Sequence, residues 1–367
     1  MTLHPELDTP ALCIDVDKME RNLDEMAAAA KARGVALRPH IKSHKMVEIG
    51  KRQMGLGAVG LTTAKLSEAE ALAAGGLRDL FICYPLIGEI KLRRLRNLAR
   101  EANVMTLVES EEGARGLSEA MSGEERPLDV VIDLDMGFHR VGVDEEHAYE
   151  LARLVASLPG LRLRGVSTHE GTVYSVHGEA ERAAVVNEQV GKMVKIANAL
   201  RDRGYDIDIV SSGSTPGAKS ALGIEGITEM RPGNYVFYDA MQVGFGVTDL
   251  DHCALSILAQ VVSHHAPERA VIDAGAKAFS TDQGAHGTQT SASHGIVKGR
   301  PGITVERLSE EHGWLHLAPG ESVAIGERLE VVPIHACVVA NLFNEVAVVR
   351  DGRVIDRWKV AARGCMA

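Results

Sequence analysis

The chain has 367 residues, more than one hydrophobic core usually organises, so two domains or a large barrel with an appended domain are expected. Its 40 basic and 50 acidic side chains leave a formal charge of −10 with no basic run long enough to follow a phosphate backbone, which argues against a nucleic-acid partner. No apolar stretch approaches the roughly 18 residues of a membrane span, and five scattered cysteines without a signal-like opening point to a reducing cytoplasm.

Taken in chain order, an apolar strand over 11–16 precedes a helix over 17–33, with Asp17 at the N-cap position and Gly34 at its end. Strand patterns then recur at 36–41, 57–63, 80–84, 104–109, 128–135, 161–169, 207–213 and 227–236. Helical patterns at 65–74, 89–101, 145–156 and 179–203 lie between them, each with an apolar stripe suited to covering a parallel strand. Eight β-then-α units predict a (β/α)₈ barrel of the TIM type; alternation alone leaves an open doubly wound sheet as the other solution. Beyond residue 245 the runs 254–262, 270–272, 322–332, 345–349 and 354–360 are short, β-branched and separated by Gly, Asp and Pro. They predict a C-terminal all-β domain, to which the strand over 11–16 could add. The expected domains are therefore a barrel over 17–245 and a β domain made of 1–16 and 246–367.

Barrel active sites collect at the C-terminal ends of the strands. Lys42 follows the first barrel strand after the turn Arg38-Pro39-His40, and a lysine there can form an imine with an aldehyde once burial or neighbouring cations such as Arg38, His40 and Lys45 lower its pKa. Alone, such a lysine is more often a solvated surface residue. The loops after the seventh and eighth strands, containing Ser212-Gly213-Ser214-Thr215 and Gly233-Asn234-Tyr235, have the small and hydroxylated residues of an anion nest. A phosphate site opposite an imine-forming lysine implies pyridoxal phosphate. Arg140 could reach a pyridine nitrogen or could be a surface residue in a turn. His169 could lie against the cofactor ring or be a core histidine. Read on a strand, His335 and Cys337 would point to one face and could bind a metal; the commoner reading is a buried structural cysteine.

These segments together resemble the D-serine dehydratase and D-threonine aldolase family, relatives of alanine racemase with a (β/α)₈ barrel followed by a β domain. The resemblance covers nearly the whole chain. Its marks are Arg-Pro-His-x-Lys-x-His-Lys at 38–45, Gly-x-x-Arg-x-Gly-Val at 137–143, Arg-Pro-Gly-Asn-Tyr at 231–235, Asp-Ala-Gly-x-Lys at 273–277, Glu-Glu-His-Gly at 310–313 and His-x-Cys at 335–337. It implies that Lys42 carries pyridoxal phosphate beside His40, Arg140 faces the pyridine nitrogen and His169 packs against the ring. It also implies that Ser212, Gly213, Ser214 and Thr215, with Gly233, Asn234 and Tyr235, hold the phosphate. His335 and Cys337 would hold a divalent metal near the 3-hydroxyl of a D-3-hydroxy amino acid, and the working form would be a homodimer. The chain departs from the aldolases in having Thr168-His169-Glu170 where they carry a tyrosine-containing segment. It also has His-x-Cys, as in the dehydratases, where aldolases commonly show His-x-Asp. Residues 338–343 resemble the aldolase-like relatives more closely.

Thiolate ligation favours Zn²⁺ over Mn²⁺ or Mg²⁺ and tips the expected reaction toward α,β-elimination to a keto acid and ammonia. Retro-aldol cleavage to glycine and an aldehyde is the alternative, and an amino-acid racemase is the alternative from another class. A non-catalytic pyridoxal-phosphate carrier is disfavoured, because such carriers are single barrels without a β domain. Asp273, Lys277 and Asp282 are polar residues with no role assigned by sequence.

Overall fold

The computed structural model describes residues 3–284 and 291–367. The chain divides into two compact units, one formed by Glu25–Lys42, Val47–Gly233 and Gly364–Ala367, the other by Met1–Asp24, Ser43–Met46 and Asn234–Arg363. The first strand, β1 (Ala11–Asp15), belongs to the second unit, and helix α1 (Val16–Ala32) follows it.

The first unit is built on β2 (Ala36–Leu37), β3 (Leu61–Thr63), β4 (Asp79–Pro85), β5 (Asn103–Val108), β6 (Leu128–Leu134), β7 (Leu161–Thr168), β8 (Ile209–Ser212) and β9 (Glu229–Met230). All are parallel, in the order β2-β9-β8-β7-β6-β5-β4-β3. A parallel bridge between His40 and Thr62, with the Thr62 N–H donating to Pro39 O at 2.8 Å and the Val59 N–H to Leu37 O at 2.9 Å, joins the two ends. That closure decides for the (β/α)₈ barrel over the open sheet.

Seven helices connect the barrel strands: α2 (Val47–Gly55), α3 (Leu66–Ala74), α4 (Glu89–Glu101), α5 (Glu111–Met121), α6 (Glu145–Ser157), α7 (Glu179–Asp202) and α8 (Ala218–Ala221). The pattern in α6 is representative: Ala148, Leu151, Ala152 and Val155 are buried at one helical face, and the Asp144 side chain caps the start by accepting from the His147 N–H. Inside the barrel, Phe81, Met105, Leu107 and Val131 pack with Cys83 and Ile209. Gly165 in β7 permits the close approach of β8, since a Cβ there would lie 1.9 Å from Ile209 O. The barrel interior also buries charge. Arg38 pairs with Glu229 at 2.8 Å, Ser211 Oγ donates to Glu229 at 2.7 Å, and the Arg231 guanidinium donates to Ser211 Oγ and Thr168 O.

In the second unit, β10 (Leu255–Ala266), β11 (Arg269–Ile272), β12 (Gly295–Val297), β13 (Ile303–Leu308), β14 (Gly313–Leu317), β15 (Arg328–Pro333), β16 (Glu345–Arg350) and β17 (Arg353–Lys359) join β1 in one sheet. The order is β11-β14-β13-β12-β15-β10-β1-β16-β17, and an extra β10–β11 pairing closes the first six into a small barrel. β1 is central: it pairs antiparallel with β10 and parallel with β16. The predicted addition of this early strand to the β domain is therefore found.

Several local expectations change. Of the strands expected over 36–41 and 227–236, only Ala36–Leu37 and Glu229–Met230 form, and Ile41–Ser43 and Asn234–Val236 are 3₁₀ turns. Residues 322–327 are not strand, and β15 starts only at Arg328. The His335 segment is not a strand either: β15 ends at Pro333, which has no N–H to continue a ladder, and Ala336–Ala340 forms a short helix with His335 at its N-cap position.

Candidate functional site

At the mouth of the barrel unit, Pro39 leads into a 3₁₀ turn, Ile41–Ser43, which carries the half-buried Lys42. The Lys42 N–H donates to His40 Nδ1 at 3.4 Å, which makes Nδ1 an acceptor and leaves the imidazole proton on Nε2. Burial, reinforced by the charges of Lys42, Arg231, His169 and Arg140, holds the His40 pKa well below the usual imidazole value. His40 is thus a neutral donor and acceptor among cations, and the structure gathers Lys42, Arg140 and His169 around it. Arg140 is exposed, with its guanidinium 5.2 Å from the centre of the Phe138 ring. The His169 ring meets Phe138 edge-on at 5.7 Å and Tyr174 at 6.4 Å, and its Nδ1–H donates to Gly213 O at 2.7 Å. That bond ties the end of β7 to the loop after β8.

The same loop gathers three polar donors. Ser212 Oγ and the Gly213 N–H donate to Glu170 Oε2 at 2.9 and 3.2 Å, and Ser214 Oγ donates to Oε1 at 3.2 Å. A carboxylate of the chain itself occupies all three. Thr215 is buried beside these serines. Gly233 closes the barrel unit, where Pro232 O accepts from the His40 N–H at 3.0 Å. Beneath the mouth, burial raises the Asp133 carboxyl to about 6, although a hydrogen bond from Ser167 Oγ at 2.8 Å and the charges of Arg231 and Arg140 oppose it. Glu170, Asp133 and Arg231 were not singled out from sequence. Only Arg231 had a signal, as the first residue of Arg-Pro-Gly-Asn-Tyr.

The second unit holds a separate polar cluster. His335 Nδ1 lies 2.9 Å from Asp282 Oδ2, and the imidazole also hydrogen-bonds Cys337. Burial alone would depress the imidazole, but Asp282 and Cys337 outweigh it and raise His335 to about 10. Burial would likewise raise the Cys337 thiol, yet His335 brings it below the ordinary cysteine value. The two shifts are reciprocal: the hydrogen bond between the imidazole and the thiol favours a protonated His335 and a more acidic Cys337. Ser43 Oγ stands 3.2 Å and Asn234 Nδ2 3.6 Å from Cys337 Sγ.

Asp239, wholly buried, accepts from Asn234 Nδ2 at 2.6 Å, from the Ala336 N–H at 2.9 Å and from the Gln242 N–H at 3.0 Å. It thereby fixes the backbone between His335 and Cys337. No group of three or more His, Cys, Asp or Glu disposed to hold a metal occurs among the described residues.

Asn234 and Tyr235, expected in the phosphate set, belong to this unit; the Asn234 amide is committed to Asp239 and Tyr235 is fully buried. Asp282 reaches the His335–Cys337 pair. Asp273 instead accepts from Thr9 Oγ1 and the Gln260 N–H, and Lys277 is exposed with Glu310 and Glu311.

Comparison with known proteins places these residues in a lineage. The family model for the alanine racemase N-terminal domain matches residues 14–240, and that for the serine dehydratase domain matches 254–349. A D-threonine aldolase from an Arthrobacter species is 34% identical over 98% of this chain and 93% of its own. The D-threo-3-hydroxyaspartate dehydratase of Delftia sp. strain HT23 is 35% identical over 96% of this chain and 97% of its own. The crystal structure of D-threonine aldolase from Filomicrobium marinum superposes with a TM-score of 0.90 at 34% identity, over 99% of this chain and 97% of that one. With that coverage, the chain belongs to the alanine racemase-like family in which such a barrel is joined to a serine dehydratase domain.

Proposed function

We propose that this protein is a pyridoxal-phosphate-dependent lyase acting on D-3-hydroxy amino acids, with a divalent metal as second cofactor. The observation that carries the reading is Lys42, half-buried at the barrel mouth beside a neutral His40 and among the cations Arg140 and Arg231. A lysine so placed has the amine that condenses with an aldehyde. When bound, pyridoxal phosphate supplies that aldehyde and a conjugated ring that accepts electrons from a bond broken at the substrate's Cα.

Lys42 would hold the cofactor, and its amine is the base that would take the proton from Cα. His40 lies beside it, Arg140 takes the pyridine-nitrogen position, and His169 packs against the ring. The loop at Ser212–Thr215, with Gly233, holds the phosphate. His335 and Cys337 hold the metal, and thiolate ligation favours Zn²⁺ over Mn²⁺ or Mg²⁺. A metal there would supply Lewis acidity toward a 3-hydroxyl, which suits either loss of hydroxide, as in a dehydratase, or acidification of the hydroxyl, as in an aldolase. The His-x-Cys pair favours dehydration. The 34% identity to a D-threonine aldolase supports the second reading.

The deciding assay supplies pyridoxal phosphate with Zn²⁺, Mn²⁺ or Mg²⁺ and offers D-serine, D-threonine and 3-hydroxy-D-aspartate in turn. Keto acid with ammonia is the expected product; glycine with an aldehyde would establish the aldolase. Interconversion of alanine enantiomers that survives chelation would replace both by a racemase, and no product from any substrate would overturn the proposal. The resemblance also supports a cytoplasmic homodimer, with the cofactor domain over 17–245 and the metal-bearing domain formed by 1–16 and 246–367. A mass of 39.4 kDa by light scattering would show a monomer instead.

A further inference from the structure

Glu170 is a carboxylate that the proposed reaction does not use. It follows β7, is completely shielded from solvent, and receives three donors from one loop: Ser212 Oγ, the Gly213 N–H and Ser214 Oγ. It sits against the start of α8, where a Cβ on Gly217 would come within 3.0 Å of Oε1 and within 2.8 Å of Ser214 Oγ. Ser214 Oγ in turn accepts from the Gly217 N–H at 3.0 Å.

A serine hydroxyl has a single proton to give. Ser212 and Ser214 both give theirs to Glu170, so neither can donate to an anion that arrives at the barrel mouth. The sequence assigns these hydroxyls to the phosphate; their geometry assigns them elsewhere. We propose that Glu170 is a positioning residue for the cofactor's phosphate. It turns the two hydroxyls and the Gly213 N–H toward itself and fixes the loop from behind, so that it acts on the phosphate through the conformation of the loop. The carboxylate's own charge opposes a nearby phosphate, so its benefit lies in a loop already set in the binding conformation. This inference rests on the pyridoxal-phosphate reading above.

The test uses the full-length protein freed of cofactor and titrated separately with pyridoxal phosphate and with pyridoxal, which lacks the phosphate, following visible absorbance. Glu170→Ala is expected to weaken pyridoxal phosphate at least tenfold and pyridoxal less than twofold. In the double variant Glu170→Ala/Ser214→Ala the loss should not exceed that of Glu170→Ala alone, because the serine acts through the carboxylate. Equal weakening of both ligands would make Glu170 a general structural residue, and additive losses would return the serine to the phosphate. Unchanged affinity would remove any positioning role, and tighter binding would show a carboxylate competing with the phosphate; any of these overturns the proposal. Should Glu170→Ala not fold, Glu170→Gln, which keeps the shape and one acceptor oxygen, is expected to give a smaller loss confined to pyridoxal phosphate. If the unmodified protein binds neither ligand, the cofactor reading itself falls. If it binds both and the variants show no phosphate-specific loss, only the role of Glu170 does.

Discussion

At His335, the 2.9 Å contact of Nδ1 with Asp282 keeps a proton on that nitrogen and leaves Nε2 as the one that would ligate the proposed metal. Asp282→Asn should therefore lower metal affinity by about 10–100-fold, measured by competition with a chromogenic chelator; unaltered affinity would show that the carboxylate has no part in orienting the imidazole. Lys42→Ala should fold normally by circular dichroism yet acquire no cofactor absorbance and no borohydride-fixed adduct. An adduct that persisted would place the imine on another lysine. Lys42, His335 and Cys337 were singled out as candidates because each sits in a short motif whose chemistry is local. Asp282, Asp239 and Glu170 were not, because their roles depend on partners 53, 97 and 42 residues away along the chain. Nothing in the sequence adjacent to an isolated Asp or Glu announces such a partner.

Among elements, the barrel strands were readable because each is bounded by a helix of the matching period, and closure needed only the short seam at His40 and Thr62. The strands β12, β13 and β14 escaped notice because they are brief and place charged or half-exposed residues on alternate positions, as in Ile-Thr-Val-Glu-Arg-Leu. The opposite error occurred at Ala336–Ala340, whose Ala-Cys-Val-Val-Ala reads as a strand. There the Asp239 carboxylate takes the Ala336 N–H, Pro333 has already ended the ladder, and tertiary context overrides β-propensity. Gly165 is where one element depends most on a single missing side chain. Gly165→Ala would drive a methyl to 1.9 Å from Ile209 O, forcing β7 and β8 apart. We expect a loss of about 3 kcal/mol, seen as an earlier denaturant midpoint or as insoluble protein, and wild-type stability would show that the strands can separate without cost.

At the scale of the molecule, stability should respond to acid through the polar group that anchors the N-terminal segment. His4 and Lys298 reach Glu330 at 2.7 and 2.9 Å. Burial would raise its carboxyl, but those partners bring it down to about 2 from an ordinary 4.5. Its stabilisation is complete above the unfolded value and is lost as pH falls from there through the folded value, an effect on the order of 3 kcal/mol. Glu330→Gln should be less stable at pH 7 and should lack this share of the wild-type acid dependence; parallel pH curves for the two proteins would contradict it. Removing residues 3–16 should be more damaging than any of these substitutions, because it takes a central strand from the sheet and cuts the β16–β17 hairpin from β10. Insoluble product is expected, and a soluble protein with native circular dichroism would refute that role.

The same strand sets a timing problem during synthesis. Leu12 of β1 pairs with Ile257, about 245 residues later, and the parallel partner β16 comes later still. A ribosome adding about 5–20 residues per second leaves β1 waiting roughly 12 to 50 seconds, with apolar side chains and both edges unpaired. All eight barrel strands emerge in that interval. A strand made before the whole barrel is thus among the last to be paired, and this is the stage at which a chaperone would be of most use to it.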